Sequence, residues 1–152
     1  MQLFLLRHGH AEAHAAADNL RPLSAQGELE LHKVCQQKCD ELRELELILF
    51  SPYLRTRQSA DILSQYSPAP QRELAALVPN ADPRVLIEKL YELSEHHQRI
   101  AVVSHQPLLG IVLDELGGFD CGRYRMGTAA LAQLSCDPLA AACCQLNWLA
   151  HP

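Results

Sequence analysis

No apolar run in the 152 residues reaches the roughly 18 needed to cross a bilayer, and the N-terminus has no basic segment leading into a long hydrophobic one. Neither a membrane span nor a signal peptide is expected, and the cytoplasm is the expected compartment. Positive charge is not in excess either: 13 Lys and Arg face 18 Asp and Glu, a formal net charge of -5. Nucleic acid and anionic membranes are therefore not expected partners, and any cationic site must be local. The six cysteines contain no Cys-x-x-Cys pair: Cys35 and Cys39 share a predicted helix, Cys121 and Cys136 are isolated, and Cys143 and Cys144 are adjacent. They read as small apolar residues of a reducing compartment, not as disulfides or metal ligands. There is no internal repeat and no low-complexity tract. A 48% hydrophobic chain of this length suits one compact domain over residues 1–152, expected to be a monomer.

What is present is a series of short apolar runs that stop at chemically active residues. Leu3-Phe4-Leu5-Leu6 fits a strand buried on both faces and ends in Arg7-His8-Gly9, with Gly9 expected to permit a sharp turn. His10 to Pro22 is a polar, alanine-rich loop expected to lie over whatever that strand end carries. Ser24 caps a predicted helix running to about Arg43, with Leu31, Val34, Cys35, Cys39 and Leu42 at helical spacing. Leu47-Ile48-Leu49-Phe50 is a second strand, ending at Ser51-Pro52. Pro52 suits the first turn of a helix that includes Ile62, Leu63 and Tyr66 and breaks in Ser67-Pro68-Ala69-Pro70, so Arg55 lies in its first turn.

Residues 71–81 read as irregular with one short extended piece. Asp82-Pro83 then opens a helix with Leu86, Leu90 and Leu93 on one face. A third strand, Ile100-Ala101-Val102-Val103, stops at Ser104-His105, and Pro107 opens a helix closed by Gly117-Gly118. Strands are predicted from Thr128 and again over residues 144–149. Alternating strands and helices predict a three-layer α/β/α sandwich with a mostly parallel central sheet, without a helical insertion.

If the first three strands are parallel, Arg7, His8, Ser51, Arg55 and His105 all emerge at one sheet edge. Two guanidinium groups and two imidazoles there suit a dianionic phosphoryl group, with helix N-termini after Pro52 and Pro107 adding backbone donors. The competing use of His8, His10, His14 and His105 is metal binding. No carboxylate or cysteine completes a ligand set and the arginines would repel a cation, so neither metal nor cofactor is expected. His32, His96, His97 and His151 read as surface or packing residues.

Leu6-Arg7-His8-Gly9, the stretch from Ser51-Pro52-Tyr53-Leu54-Arg55 to Ala60, and Val103-Ser104-His105 resemble the histidine phosphatase superfamily, also called phosphoglycerate-mutase-like. The small size, Asp18-x-x-Arg21-Pro22-Leu23-Ser24 and Gly27 resemble its SixA-type phosphohistidine phosphatases. The resemblance implies that His8 is a nucleophile that becomes transiently phosphorylated, that Arg7, Arg55 and His105 hold the phosphoryl oxygens, and that Arg21 helps bind substrate. Asp18 and Ser51 join it as expected substrate-binding residues, Asp18 either as a proton carrier or as a partner for Arg21.

Two departures stand out. His10 replaces the usual acidic residue after Arg-His-Gly. Ala76 stands where many members supply a glutamate acid, with Glu73 nearby as a displaced candidate. Without an acid, an imidazole leaving group is favoured over an alkoxide. The resemblance thus implies a phosphatase acting on a phosphohistidine-containing protein of phosphorelay or phosphotransferase type. A phosphatase of small sugar or nucleotide phosphates and a non-catalytic phospho-ligand binding module are the alternatives.

Overall fold

A computed structural model describes residues 1–152. Six strands form one sheet in the order β3-β2-β4-β1-β5-β6: β1 Gln2–Arg7, β2 Leu47–Phe50, β3 Gln71–Glu73, β4 Arg99–Ser104, β5 Leu131–Cys136 and β6 Cys144–Ala150. The pairs among β3, β2, β4 and β1 are parallel, whereas β5 is antiparallel to both β1 and β6. The chain also forms five α-helices, α1 Ala25–Gln37, α2 Cys39–Leu42, α3 Leu54–Leu63, α4 Pro83–Ser94 and α5 Leu108–Gly117, and two 3-10 turns, Asp18–Leu20 and Ala75–Leu77. The predicted sandwich is the one formed.

The apolar runs lie centrally because both their faces are covered. Leu3 and Leu5 of β1, with Leu49 and Val102, pack with Leu86, Leu90, Leu109 and Val112 of α4 and α5. The alternate residues Phe4 and Leu6, with Ile48 and Val103, pack with Leu31, Val34, Ala60 and Leu63 of α1 and α3. This is the two-residue period of a strand dividing one sequence run between two cores.

Register brings the chemistry together. Leu6 is opposite Val103 and Arg7 opposite Ser104, while Phe50 is opposite Val103 across the other edge of β4. The carboxyl ends of β2, β4 and β1 therefore finish side by side. From β1 the chain crosses by α1 toward β2, and from β4 it crosses by α5 toward β5 on the opposite side. The crevice between two neighbouring strands whose connections diverge is where open α/β sheets bind ligands.

Local expectations fare unevenly. Ser24 caps α1 by accepting from the Gly27 N–H, and Asp82 caps α4 by accepting from the Arg84 N–H. The helix expected to run from Ser24 to about Arg43 is broken, because Lys38 leaves helical geometry and its N–H reaches back to the Cys35 carbonyl, tightening the last turn of α1 before α2 restarts. Tyr66 lies beyond the end of α3 and hydrogen-bonds His32 instead. β5 begins only at Leu131, because Ala129 is in the left-handed region at φ 56° and Ala130 closes a turn onto Gly127. The reading of all six cysteines as unpaired is corrected at one pair: Cys136 and Cys144, opposite each other in the β5–β6 register, form a disulfide. That pairing is invisible until the two strands are aligned.

Candidate active site

Gly9 is needed for a different reason from the one expected. Its φ is not positive; instead a Cβ there would lie 2.7 Å from the Gly27 carbonyl oxygen and 2.8 Å from Leu31. Gly27 in turn leaves no room for a Cβ against the His10 backbone. The two glycines let the turn after β1 press against the first turn of α1, and Ser24 locks it there by meeting both the His10 carbonyl and His10 Nδ1, the latter at 2.7 Å. The His8 backbone is held from both sides, its N–H by Ser104 and its carbonyl by the Ala129 N–H.

That scaffold fixes the His8 ring. Its Nδ1 lies 2.7 Å from the Gly9 carbonyl, which can only accept, so the proton is on Nδ1 and the lone pair on Nε2. Burial lowers the His8 pKa to about 4 against the opposing pull of the Gly9 bond, and the positive Arg55, Arg7 and Arg21 add to the lowering. At neutral pH the ring is an uncharged nucleophile among cations. His105 stands 5.0 Å away between ring centroids, with Tyr53 edge-on at 4.9 Å on another side. Burial, followed by repulsion from His8 and Arg55, lowers its pKa to about 3.

Arg55 is buried and each of its three guanidinium nitrogens has a partner: Nε donates to His8 Nε2 at 3.3 Å, Nη1 to the Asp18 carbonyl at 2.7 Å and Nη2 to Asp18 Oδ2 at 3.1 Å. Asp18 also accepts from Arg21 Nη1 at 3.1 Å. Arg21, with Arg55, holds the Asp18 carboxyl below its ordinary pKa, so it is ionised at neutral pH. Arg7 spends Nη1 on the Met126 carbonyl at 2.7 Å and leaves Nε buried without a partner. Burial and Arg55 lower its pKa. His105 Nδ1 is likewise buried and unpartnered. Two orphaned polar atoms beside one cleft are groups that a ligand would satisfy.

The cleft holds about 400 Å³ and is lined by Arg7, His8, Asp18, Arg21, Arg55 and His105, together with His10. Six of the seven residues expected from sequence therefore meet in one place. Ser51 does not line it: fully buried, it stands behind His105 with Oγ 2.9 Å from Nε2, which corrects its expected place among residues touching substrate. Glu73 is paired with Arg57 at 2.8 Å, and neither it nor Ala76 reaches the cleft, whose only carboxylate is Asp18. His10, left without a role by its sequence position, is on the wall. Gln106 and Thr128 line it too. Gln106 had a signal, as the residue after His105; Thr128 had none, because only the antiparallel return of the chain toward β5 brings it there.

Imidazoles and guanidinium groups gathered at the carboxyl edge of an open sheet are the architecture of the histidine phosphatases. This chain is 33% identical over 119 residues to the phosphohistidine phosphatase SixA of Escherichia coli (strain K12), a match covering 76% of this chain and 74% of that protein. It is 29% identical over 131 residues to a phosphohistidine phosphatase SixA homolog of Haemophilus influenzae, covering 78% of each. A solved structure of the protein histidine phosphatase SixA complexed with tungstate aligns at a TM-score of 0.91 and 30% identity, covering 100% of this chain and 97% of that one. No family model matches the chain. The chain belongs to the SixA-type phosphohistidine phosphatases of the histidine phosphatase superfamily.

Proposed function

We propose that the protein hydrolyses phosphohistidine on a partner protein, with His8 as nucleophile and Arg7, Arg55 and His105 as phosphoryl ligands. The observation that carries this reading is the lining of the cleft: six basic or imidazole groups face a single carboxylate, Asp18, which its arginine partners keep ionised. Such a lining stabilises a phosphoryl group but offers no carboxylic acid to protonate an alkoxide.

His8 Nε2 attacks phosphorus in line, its lone pair forming the new N–P bond as the bond to the leaving nitrogen breaks. A substrate imidazole protonated on its far nitrogen departs neutral, so the proton comes from solvent and no acid is needed at the phosphorus. For the attack Arg55 Nε releases Nε2 and turns to the phosphoryl oxygens, which also replace Asp18 on its fork. Arg7 Nε supplies a further unspent donor, and His105 Nδ1 another when the Ser51 hydroxyl donates to Nε2. Water then attacks phospho-His8, releasing phosphate and restoring the imidazole. No step calls for a metal. The protein histidine phosphatase SixA whose structure aligns with this chain is complexed with tungstate, an oxyanion of similar shape and charge.

A series of phosphate monoesters graded by leaving-group pKa, run beside a phosphohistidine protein, tests the reading. Phosphohistidine and aryl phosphates should turn over and alkyl phosphates hardly at all. A flat dependence that becomes steep in His10→Ala would make His10 a proton donor and shift the assignment to a phosphatase of small esters.

A further inference from the structure

A second cleft of about 480 Å³ opens beside the first and shares Arg7 and Gln106 with it. Its walls are Pro107 and Ile111 from the start of α5, and Tyr124 and Met126 from the segment that follows that helix. This segment is fastened in place. Asp114 of α5, 3% exposed, accepts from the backbone N–H groups of Gly122 at 2.8 Å, Arg123 at 3.1 Å and Tyr124 at 3.1 Å. Phe119 and Tyr124 meet edge-on at 4.9 Å. Gly110 allows the Tyr124 carbonyl to sit directly on the helix, where a Cβ would be 2.5 Å from it. The cleft is thus preformed, and its one carboxylate is spent on holding the wall.

The buried donors without partners lie at the junction of the two clefts, while Arg125 on the outer lining is exposed. Gln106 Oε1 accepts from the Gly110 N–H at 3.1 Å, while its Nε2 is buried with no partner; Arg7 Nε beside it is in the same condition. A buried amide donor without an acceptor costs free energy that an incoming carbonyl would recover. A segment of polypeptide presents both complements at once, a backbone carbonyl for Gln106 and a side chain for the apolar walls; a sugar phosphate offers hydroxyl acceptors but no apolar group for those walls.

We propose that this cleft is the recognition subsite for the partner protein, receiving an apolar side chain adjacent to the phosphohistidine while Gln106 Nε2 donates to a carbonyl of the same segment. The inference rests on the phosphohistidine reading of the first cleft. It makes Gln106 the hinge between the two: one edge of its residue faces the phosphoryl group and its amide faces the peptide.

The test uses two synthetic peptides with a central phosphohistidine, flanked on both sides by Leu in one and by Ser in the other, with p-nitrophenyl phosphate as a small ester. On the wild-type protein the Leu peptide should have a kcat/KM about tenfold higher, the scale on which an apolar pocket discriminates. Ile111→Lys, which puts a charge on the wall, should bring the ratio close to one while p-nitrophenyl phosphate is turned over as before. Equal kcat/KM for the two peptides on the wild type, or a preference that survives Ile111→Lys, would overturn the subsite. If the variant does not fold, the wild-type ratio decides alone. Turnover of p-nitrophenyl phosphate with neither peptide hydrolysed would instead remove the phosphohistidine reading, and this inference with it.

Discussion

The parallel and antiparallel parts of the sheet do different work. β1, β2 and β4 are apolar along their length and all end at the same edge, so each delivers a charged or imidazole side chain into one cleft: Arg7 and His8, Arg55 just beyond Ser51, and His105. β5 runs the other way relative to β1, and β6, turned back again beside it at the sheet edge, is half-exposed along much of its length. Approaching the same edge from outside, the chain before β5 supplies mainly backbone: the Met126 carbonyl to Arg7, the Ala130 carbonyl to the Arg7 N–H and the Ala129 N–H to His8. Parallel strands concentrate reactive side chains because their ends coincide, whereas the antiparallel return braces them with the main chain.

Removing the nucleophile should break this division of labour most completely. His8→Ala should lower turnover by about a thousandfold or more, the scale for losing a covalent catalyst, while circular dichroism shows an intact fold. Acid-labile label from a phosphorylated substrate should be trapped on the wild type and absent from the variant. Next come the arginines. Arg55→Ala and Arg7→Ala should each cost about a hundredfold in kcat/KM, as expected for a donor aimed at developing charge, and should weaken vanadate inhibition. Inhibition as tight as in the wild type would mean that these groups do not share a phosphoryl site.

Asp18→Asn should act in the opposite direction on binding. Its carboxylate holds the Arg55 fork in the unliganded state, so its neutralisation should tighten inhibition by phosphate or vanadate by up to about fivefold, the scale of an exposed ion pair. Weaker inhibition would show Asp18 to be a ligand support rather than a competitor.

The pH dependence is a smaller and more diagnostic effect. His8 and His105 have folded-state pKa values of about 4 and about 3, below the ordinary 6.5. As pH falls through 6.5 toward 4 the unfolded chain takes up protons that the native rings refuse, so stability is lost on acidification and is unaffected by these groups above 6.5. Each contributes a slope of at most about 1.4 kcal/mol per pH unit in that window. Urea unfolding between pH 7 and pH 4.5 should show a shallower loss in His8→Ala than in the wild type, and an NMR titration should place the His8 ring near 4.

The smallest effect is expected at the far end of the antiparallel pair. Cys136 receives the N-terminal amino group of Met1, at the opposite end of β1 from His8. Reducing the disulfide should leave kcat within about twofold of the oxidised protein, since substitutions remote from the site leave transition-state contacts in place. A larger loss would mean that the antiparallel pair does more than brace.

Much of this was legible in the chain because the signals are local. A four-residue apolar run bounded by polar residues marks a strand buried on both faces, and a proline or serine just beyond marks the next helix. These sufficed to place Arg7, His8, Arg55 and His105 at strand ends and to order the elements of the sandwich. Capping by Ser24 and Asp82 is equally local, a side chain meeting a backbone N–H two or three residues on.

Which residues carry the chemistry, and which element each one follows, can be read from the chain because both depend on contacts within a few residues. How those residues are used is a property of the packed fold. The service of Gly9 to close packing, the withdrawal of Ser51 behind His105, the pairing of Glu73 with Arg57, the joining of Cys136 to Cys144 and the arrival of Thr128 beside the cleft all depend on register and on approaches between segments distant in the chain. The depressed pKa values of His8 and His105 belong with them, because a histidine's charge is set by burial and by the arginines that other strands bring to it.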